Sequence, residues 1–120
     1  MRYQWIDEYC LEKKGVVKDY KIEWKATRYM INDKMFAMQC NDKEGKPIIT
    51  VKLEPMFGEM LRSKYKDIVP GYYMNKKHWN SLYLEGNVPD EVLEDMLDKS
   101  YEIILKSLSK KAQKEIMDKE

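Results

Sequence analysis

An α+β fold is expected for this 120-residue chain: a two-layer sandwich with an antiparallel sheet and helices on one face. Three observations predict it. Apolar residues recur at helical spacing near both ends, and the middle switches to short β-rich runs separated by turn signals. Helices do not alternate strictly with strands, which argues against a doubly wound parallel sheet. The expected order is α-β(3–4)-α-β(2)-α-α, within one domain spanning 1–120.

Residues 3–14 read as the first helix. Trp5, Ile6, Tyr9 and Cys10 form one stripe, Lys13 and Lys14 suit its negative end, and Gly15 is a ready left-handed cap. From Ile22 to Leu53 the strand runs are 22–28, 29–31, 35–40 and 48–53. Asn32-Asp33-Lys34 makes a tight hairpin connection, and residues 41–47 make a longer polar loop. In the run 48–53, Thr50 and Lys52 alternate with Ile49, Val51 and Leu53, so one face of that strand should be wet.

Pro55 opens a second helix, with Met56, Phe57, Met60 and Leu61 on one face. Ile68-Val69-Pro70-Gly71 ends it. Residues 72–74 and 79–84 then read as a hairpin whose exposed tip is Asn75-Lys76-Lys77-His78. Pro89, Asp90 and Glu91 begin the longest helix. Its stripe of Leu93, Met96, Leu97, Ser100, Tyr101, Ile104, Leu105 and Leu108 faces a core. Ser109 caps a short last helix over 110–119.

The formal net charge is +1, but it is unevenly spread. Residues 60–80 carry five Lys or Arg against one acid, and 85–102 carry seven acids against one Lys. Separate basic and acidic faces can steer an anionic partner even on a nearly neutral molecule. Cys10 and Cys40 make no disulfide framework and read as buried, reduced thiols. Asp7 and Glu8 stand where a signal peptide needs an apolar run, and no stretch reaches the ~18 apolar residues of a membrane span. A cytoplasmic protein without membrane partners is expected.

No catalytic constellation emerges. His78 is the lone histidine, so thiol catalysis would need Cys10 or Cys40 beside it, and both cysteines sit among apolar residues. Metal motifs and glycine-rich phosphate loops are missing, so no metal or cofactor is expected. The acidic pairs Glu91/Asp95 and Glu94/Asp98 read as solvated helix surface. What remains is the basic-aromatic stretch PGYYMNKKHWN at 70–80. Its lysines can neutralise phosphates, and its rings can stack on bases. Trp79 reads more readily as an inward core residue, and Tyr83 has the same alternative.

The chain resembles the YjbR/MmcQ family of small bacterial proteins. The resemblance rests on Tyr9-Cys10-Leu11 with Gly15, Trp24-Lys25, Lys34-Met35-Phe36-Ala37, Val51-Lys52-Leu53 with Pro55, and Leu61-Arg62. It continues through 70–80, Leu84-Glu85-Gly86, Val88-Pro89-Asp90-Glu91, Lys99-Ser100-Tyr101 and Lys110-Lys111. Tyr73 stands where relatives often carry histidine, and Asp33 where they often carry glycine. The resemblance implies a fold similar to frataxin-like and secretion-chaperone-like domains, and a DNA-binding role through a double-wing arrangement. The expected function is non-enzymatic binding of double-stranded DNA. Arg62, Lys64, Lys66, Lys76 and Lys77 would hold phosphates, with Asn75 and His78 positioning the hairpin. The alternative is a protein-binding adaptor or chaperone-like module, suggested by nine Met and by fold analogy.

Overall fold

The computed structural model describes residues 3–71 and 74–118. The element order is α1 (Ile6–Leu11), β1 (Val16–Lys21), β2 (Ala26–Ile31), β3 (Lys34–Asn41), β4 (Pro47–Lys52), α2 (Pro55–Lys64), β5 (Ile68–Pro70), β6 (Trp79–Tyr83), α3 (Asp90–Lys106) and α4 (Lys110–Met117). The strands form one six-stranded sheet ordered β1-β2-β3-β4-β6-β5, and each neighbouring pair is antiparallel. The expected α+β fold is therefore the observed one, with four differences in its elements.

The first is β1, to which the sequence assigned no element. It is an edge strand whose four middle residues are exposed, so it carries no apolar alternation. Residues 22–25, read as the start of a strand, form the β1–β2 turn, where Lys25 has φ 52°. The second is that 26–31 is a single strand rather than parts of two. The third is the partner of β6. Tyr72 and Tyr73 of the expected 72–74 strand lie outside the described residues, and the strand that pairs with β6 on its side away from β4 is β5. Pro70 fits there because an edge strand needs no donor on its outer side. The fourth is the first helix, shorter than expected at both ends: residues 3–5 form a turn, and the helix stops at Leu11 with Glu12 as its cap, so Gly15 does not cap it.

Local chemistry explains most boundaries. Asn32 and Asp33 both take positive φ, as a two-residue turn of the I′ type between β2 and β3 requires. Pro55 opens α2 as expected, and the Glu54 carboxylate caps it by accepting from the Met56 and Phe57 amides. Ser109 caps α4 by accepting from the Ala112 amide. Gly15 has φ +77°, and a Cβ there would lie 2.9 Å from Ile116 Cγ2, so α4 docks against a residue that must lack a side chain.

The core lies between the helices and the inner face of the sheet. Tyr29, Ala37, Ile49, Val51 and Leu82 meet Ile6 and Cys10 of α1, Leu61 of α2, and Leu93, Met96, Leu97, Tyr101 and Ile104 of α3. Phe36 has no cross-strand partner because the β2–β3 register shifts beside it. This bulge turns Phe36 into the core, where its ring meets Tyr101 edge-on at 5.5 Å. Ser100 serves the disrupted ladder. Its hydroxyl donates to the Phe36 carbonyl at 2.6 Å and accepts from the Lys52 amide at 2.9 Å.

The outer face is not the wet surface that the alternation in β4 suggested. Met38, Ile48, Thr50 and Ser81 are buried there, and the Thr50 and Ser81 hydroxyls satisfy each other at 2.7 Å. Met74, from the β5–β6 connection, shares an outer-face cavity with Met38 and Cys40. Trp79 and Tyr83, expected to point inward, lie on the outer side of β6 and are half-buried, because Asn80 and Leu82 take the inner positions.

Candidate nucleic-acid interface

The β5–β6 connection is pinned at both ends by backbone hydrogen bonds. The Gly71 amide donates to the Trp79 carbonyl at 2.7 Å. A Cβ at Gly71 would lie 2.8 Å from Trp79 Cβ, so only glycine permits this closure. Asn75 shapes the turn itself. Its Oδ1 accepts from the Lys77 amide at 2.8 Å, and its carbonyl accepts from Trp79 at 2.9 Å and His78 at 3.3 Å. This side-chain turn fixes which way Lys76 and Lys77 project.

Lys76 and Lys77 are exposed. The ion pairs among the described residues engage Lys13, Lys18, Arg28 and Lys99, not these two. His78 is half-buried and acts through its backbone: its carbonyl accepts from Leu53 at 2.7 Å and from Asn80 Nδ2 at 3.3 Å. Asn75 and His78 therefore hold the turn, Asn75 through its side chain and carbonyl and His78 through its carbonyl.

Arg62 occupies a different position from the other basic residues. Its Nη1 donates to Oδ1 of the buried Asn80. Gly58 makes room for the pair, since a Cβ there would meet Asn80 Nδ2 at 3.0 Å and Arg62 Nη1 at 3.1 Å. Arg62 thus ties α2 to β6. Lys64 and Lys66 are exposed at the far end of α2, with Lys64 Nζ 5.6 Å from the Tyr65 ring centre. Asp67 follows them, and its carbonyl accepts from the Tyr83 amide at 2.9 Å. Lys66 and the Lys76–Lys77 turn therefore stand at opposite ends of β6, about 13 Å apart along the strand at ~3.3 Å per residue. The basic segment that is continuous in sequence becomes two cationic groups with an arginine lock between them.

The acidic segment forms α3 and the loop before it, in the helical layer. Within that layer Asp98 is occupied: Tyr9 Oη donates to it at 2.8 Å, and Lys13 Nζ forms its ion pair. Among the described residues no group of three or more His, Cys, Asp or Glu is placed to hold a metal, and no helix is long and apolar enough to cross a membrane. Cys10 and Cys40 are both free thiols. Cys10 is fully buried, and burial pushes its thiol up to about 12. Cys40 is only half-buried, contrary to the expectation of two sequestered thiols. Burial, and then the Asp42 charge, raise its pKa. Sequence reading missed the Arg62–Asn80 lock and the place of Cys40, because neither a long-range side-chain pair nor the facing of a covered sheet has a local signature.

These features define a class: a small α+β domain with a six-stranded antiparallel sheet, helices on one face and a pinned cationic loop between the last two strands. The YjbR family profile matches residues 11–103, and the chain belongs to the YjbR family. It is 35% identical over 95 residues to the uncharacterized protein YjbR of Escherichia coli K12, covering 79% of this chain and 80% of that protein. It is 28% identical over 111 residues to the uncharacterized protein YyaQ of Bacillus subtilis, covering 82% and 93%. The crystal structure of the Deinococcus radiodurans protein DR2400, a DUF419 domain, matches with TM-score 0.82 at 27% identity, over 92% of this chain and 84% of that one. A Pseudomonas syringae crystal structure matches in fold with TM-score 0.73 at 23% identity, over 86% and 98%.

Proposed function

We propose that this protein binds double-stranded nucleic acid, DNA first, through backbone phosphates, and that it works by binding rather than by catalysis. The observation that carries the reading is the Asn75-shaped turn, which presents Lys76 and Lys77 exposed and outside the ion pairs of the described residues. Such lysines keep their charge available to displace counterions from a duplex. Lys64 and Lys66 add a second cationic group at the other end of β6. A duplex carries a charge every ~1.7 Å, so the two groups can contact separate phosphates. Arg62 supports the surface from behind by holding α2 against β6.

With a net charge of +1, binding should be weak and without sequence preference, in the range of about 10⁻⁴ to 10⁻⁶ M at physiological salt. Lys76→Ala with Lys77→Ala is the test. Losing two phosphate contacts should flatten the slope of log affinity against log salt by about 1.8, equally on all duplex sequences. A folded double variant that binds as tightly as the parent, with an unchanged slope, removes this turn from the function.

A second reading is a protein-binding adaptor. It is favoured by Met56 and Met60 on α2, which are 76% and 47% exposed, and by the adjoining groove of Phe57, Tyr65 and Val92 between α2 and α3. That reading expects no DNA affinity for the lysine substitutions to remove.

A further inference from the structure

The outer-face cavity has a volume of about 450 Å³ and is lined by Glu23, Trp24, Met38, Cys40 and Met74. Three of the five described lining residues, Met38, Cys40 and Met74, carry sulfur. Met38 and Cys40 are two residues apart on β3, so the strand period sends both to the same face. Met74 reaches the same space from the β5–β6 connection, and Trp24 from the β1–β2 turn. The local fold thus brings a thiol and two thioethers together from two distant segments, with an indole and a carboxylate beside them.

Donor chemistry narrows what such a set can hold. Hard and borderline divalent ions need carboxylates, imidazoles or several thiolates, and no group of three such side chains exists among the described residues. Thioethers are soft donors that suit monovalent copper and its congener silver. Methionine has three rotatable bonds, so two such side chains can close on an ion that a rigid site would miss. The Trp24 ring has Lys21 Nζ at 4.9 Å and the Arg28 guanidinium at 5.7 Å from its centre, so the indole already takes part in cation–π contacts.

We propose that Met38, Cys40 and Met74 form a binding site for one soft monovalent metal ion, Cu(I) or Ag(I). On binding, the Cys40 thiol gives its proton to solvent, and the resulting thiolate and two thioethers donate to the metal without any change of oxidation state. Trp24 covers the ion, whose single charge the Cys40 thiolate balances. This site is independent of the nucleic-acid reading, since neither Lys76 nor Lys77 lines it.

The test is anaerobic titration of the reduced protein with Cu(I) in excess glutathione, followed by desalting and metal analysis. A lone protein thiol loses that competition, whereas a thiolate and two thioethers closing on one ion win it. The expected result is one Cu(I) retained per chain, none retained by Cys40→Ser, and affinity weakened by more than about tenfold in Met38→Leu with Met74→Leu, since even outer-shell changes produce losses of that size. Leucine matches methionine in volume, so the double variant keeps its fold even if the serine variant does not. No retention by the wild type overturns the proposal, as does a double leucine variant that holds Cu(I) as tightly as the parent. A cavity that takes up an apolar dye while retaining no Cu(I) also overturns it and assigns the space to an organic ligand.

Discussion

Cys10 and Cys40 show how little a residue's sequence neighbours say about its accessibility. Burial is expected of both from the elements that carry them, yet Cys10 is 0% exposed in the core while Cys40, between Gln39 and Asn41, opens onto the outer-face cavity. The difference is strand facing, which is set by the pairing partner rather than by the residue itself. Alkylation of the native protein followed by mass analysis should label Cys40 first, with Cys10 protected until the chain unfolds. Equal rates would contradict the burial of α1 against the sheet. Ser100 was legible as a member of the α3 stripe, but its role was not, because the bulge it serves lies 64 residues away. Ser100→Ala leaves the Phe36 carbonyl and the Lys52 amide without that hydroxyl, and should cost about 2 kcal/mol in denaturant unfolding. Asp7 gives a pH signature. Hydrogen bonds from Lys18 and then Tyr29 hold its carboxyl below the ordinary value of 3.8. A depressed folded pKa contributes stability that is present above 3.8 and lost as pH falls through the folded value. Asp7→Asn should therefore be less stable than the parent at neutral pH, and the gap should close in acid. A gap that stays constant with pH would show that the carboxylate charge plays no part.

At the level of elements, α2 and α3 were readable from their helical period, and β3 and β4 as β-rich runs between turn signals, although β4 is buried on both faces. The edges of the sheet were not. β1 buries none of its four middle residues, and β5 has three residues in all, too few to establish an alternation. The tip of the β5–β6 connection was readable from its turn residues, and the Asn75 turn confirms the exposure of Lys76 and Lys77. The coupling of α2 to β6 was hidden because Arg62 and Asn80 are 18 residues apart. Arg62→Ala leaves the buried Asn80 side chain short of a donor and should destabilise the fold by about 1–3 kcal/mol. If Arg62 instead acts only on phosphates, thermal unfolding will be unchanged while the salt slope falls.

For the whole molecule, the near-zero net charge conceals a division. The acidic residues of 85–102 lie on α3 and its leading loop, whereas the β5–β6 connection brings Met74 to the opposite face of the sheet. The division is not complete, since Lys64 at the end of α2 shares a groove with Glu91 and Asp95 of α3. We propose that the side of the β5–β6 connection binds duplex nucleic acid through phosphates. The direct measurement is a binding titration of the wild-type protein on random-sequence duplex DNA at about 50 mM and about 200 mM salt, the range over which phosphate contacts are most visible. The account predicts measurable affinity at the lower salt that falls steeply at the higher. No binding at the lower salt, from protein shown to be folded, would contradict it.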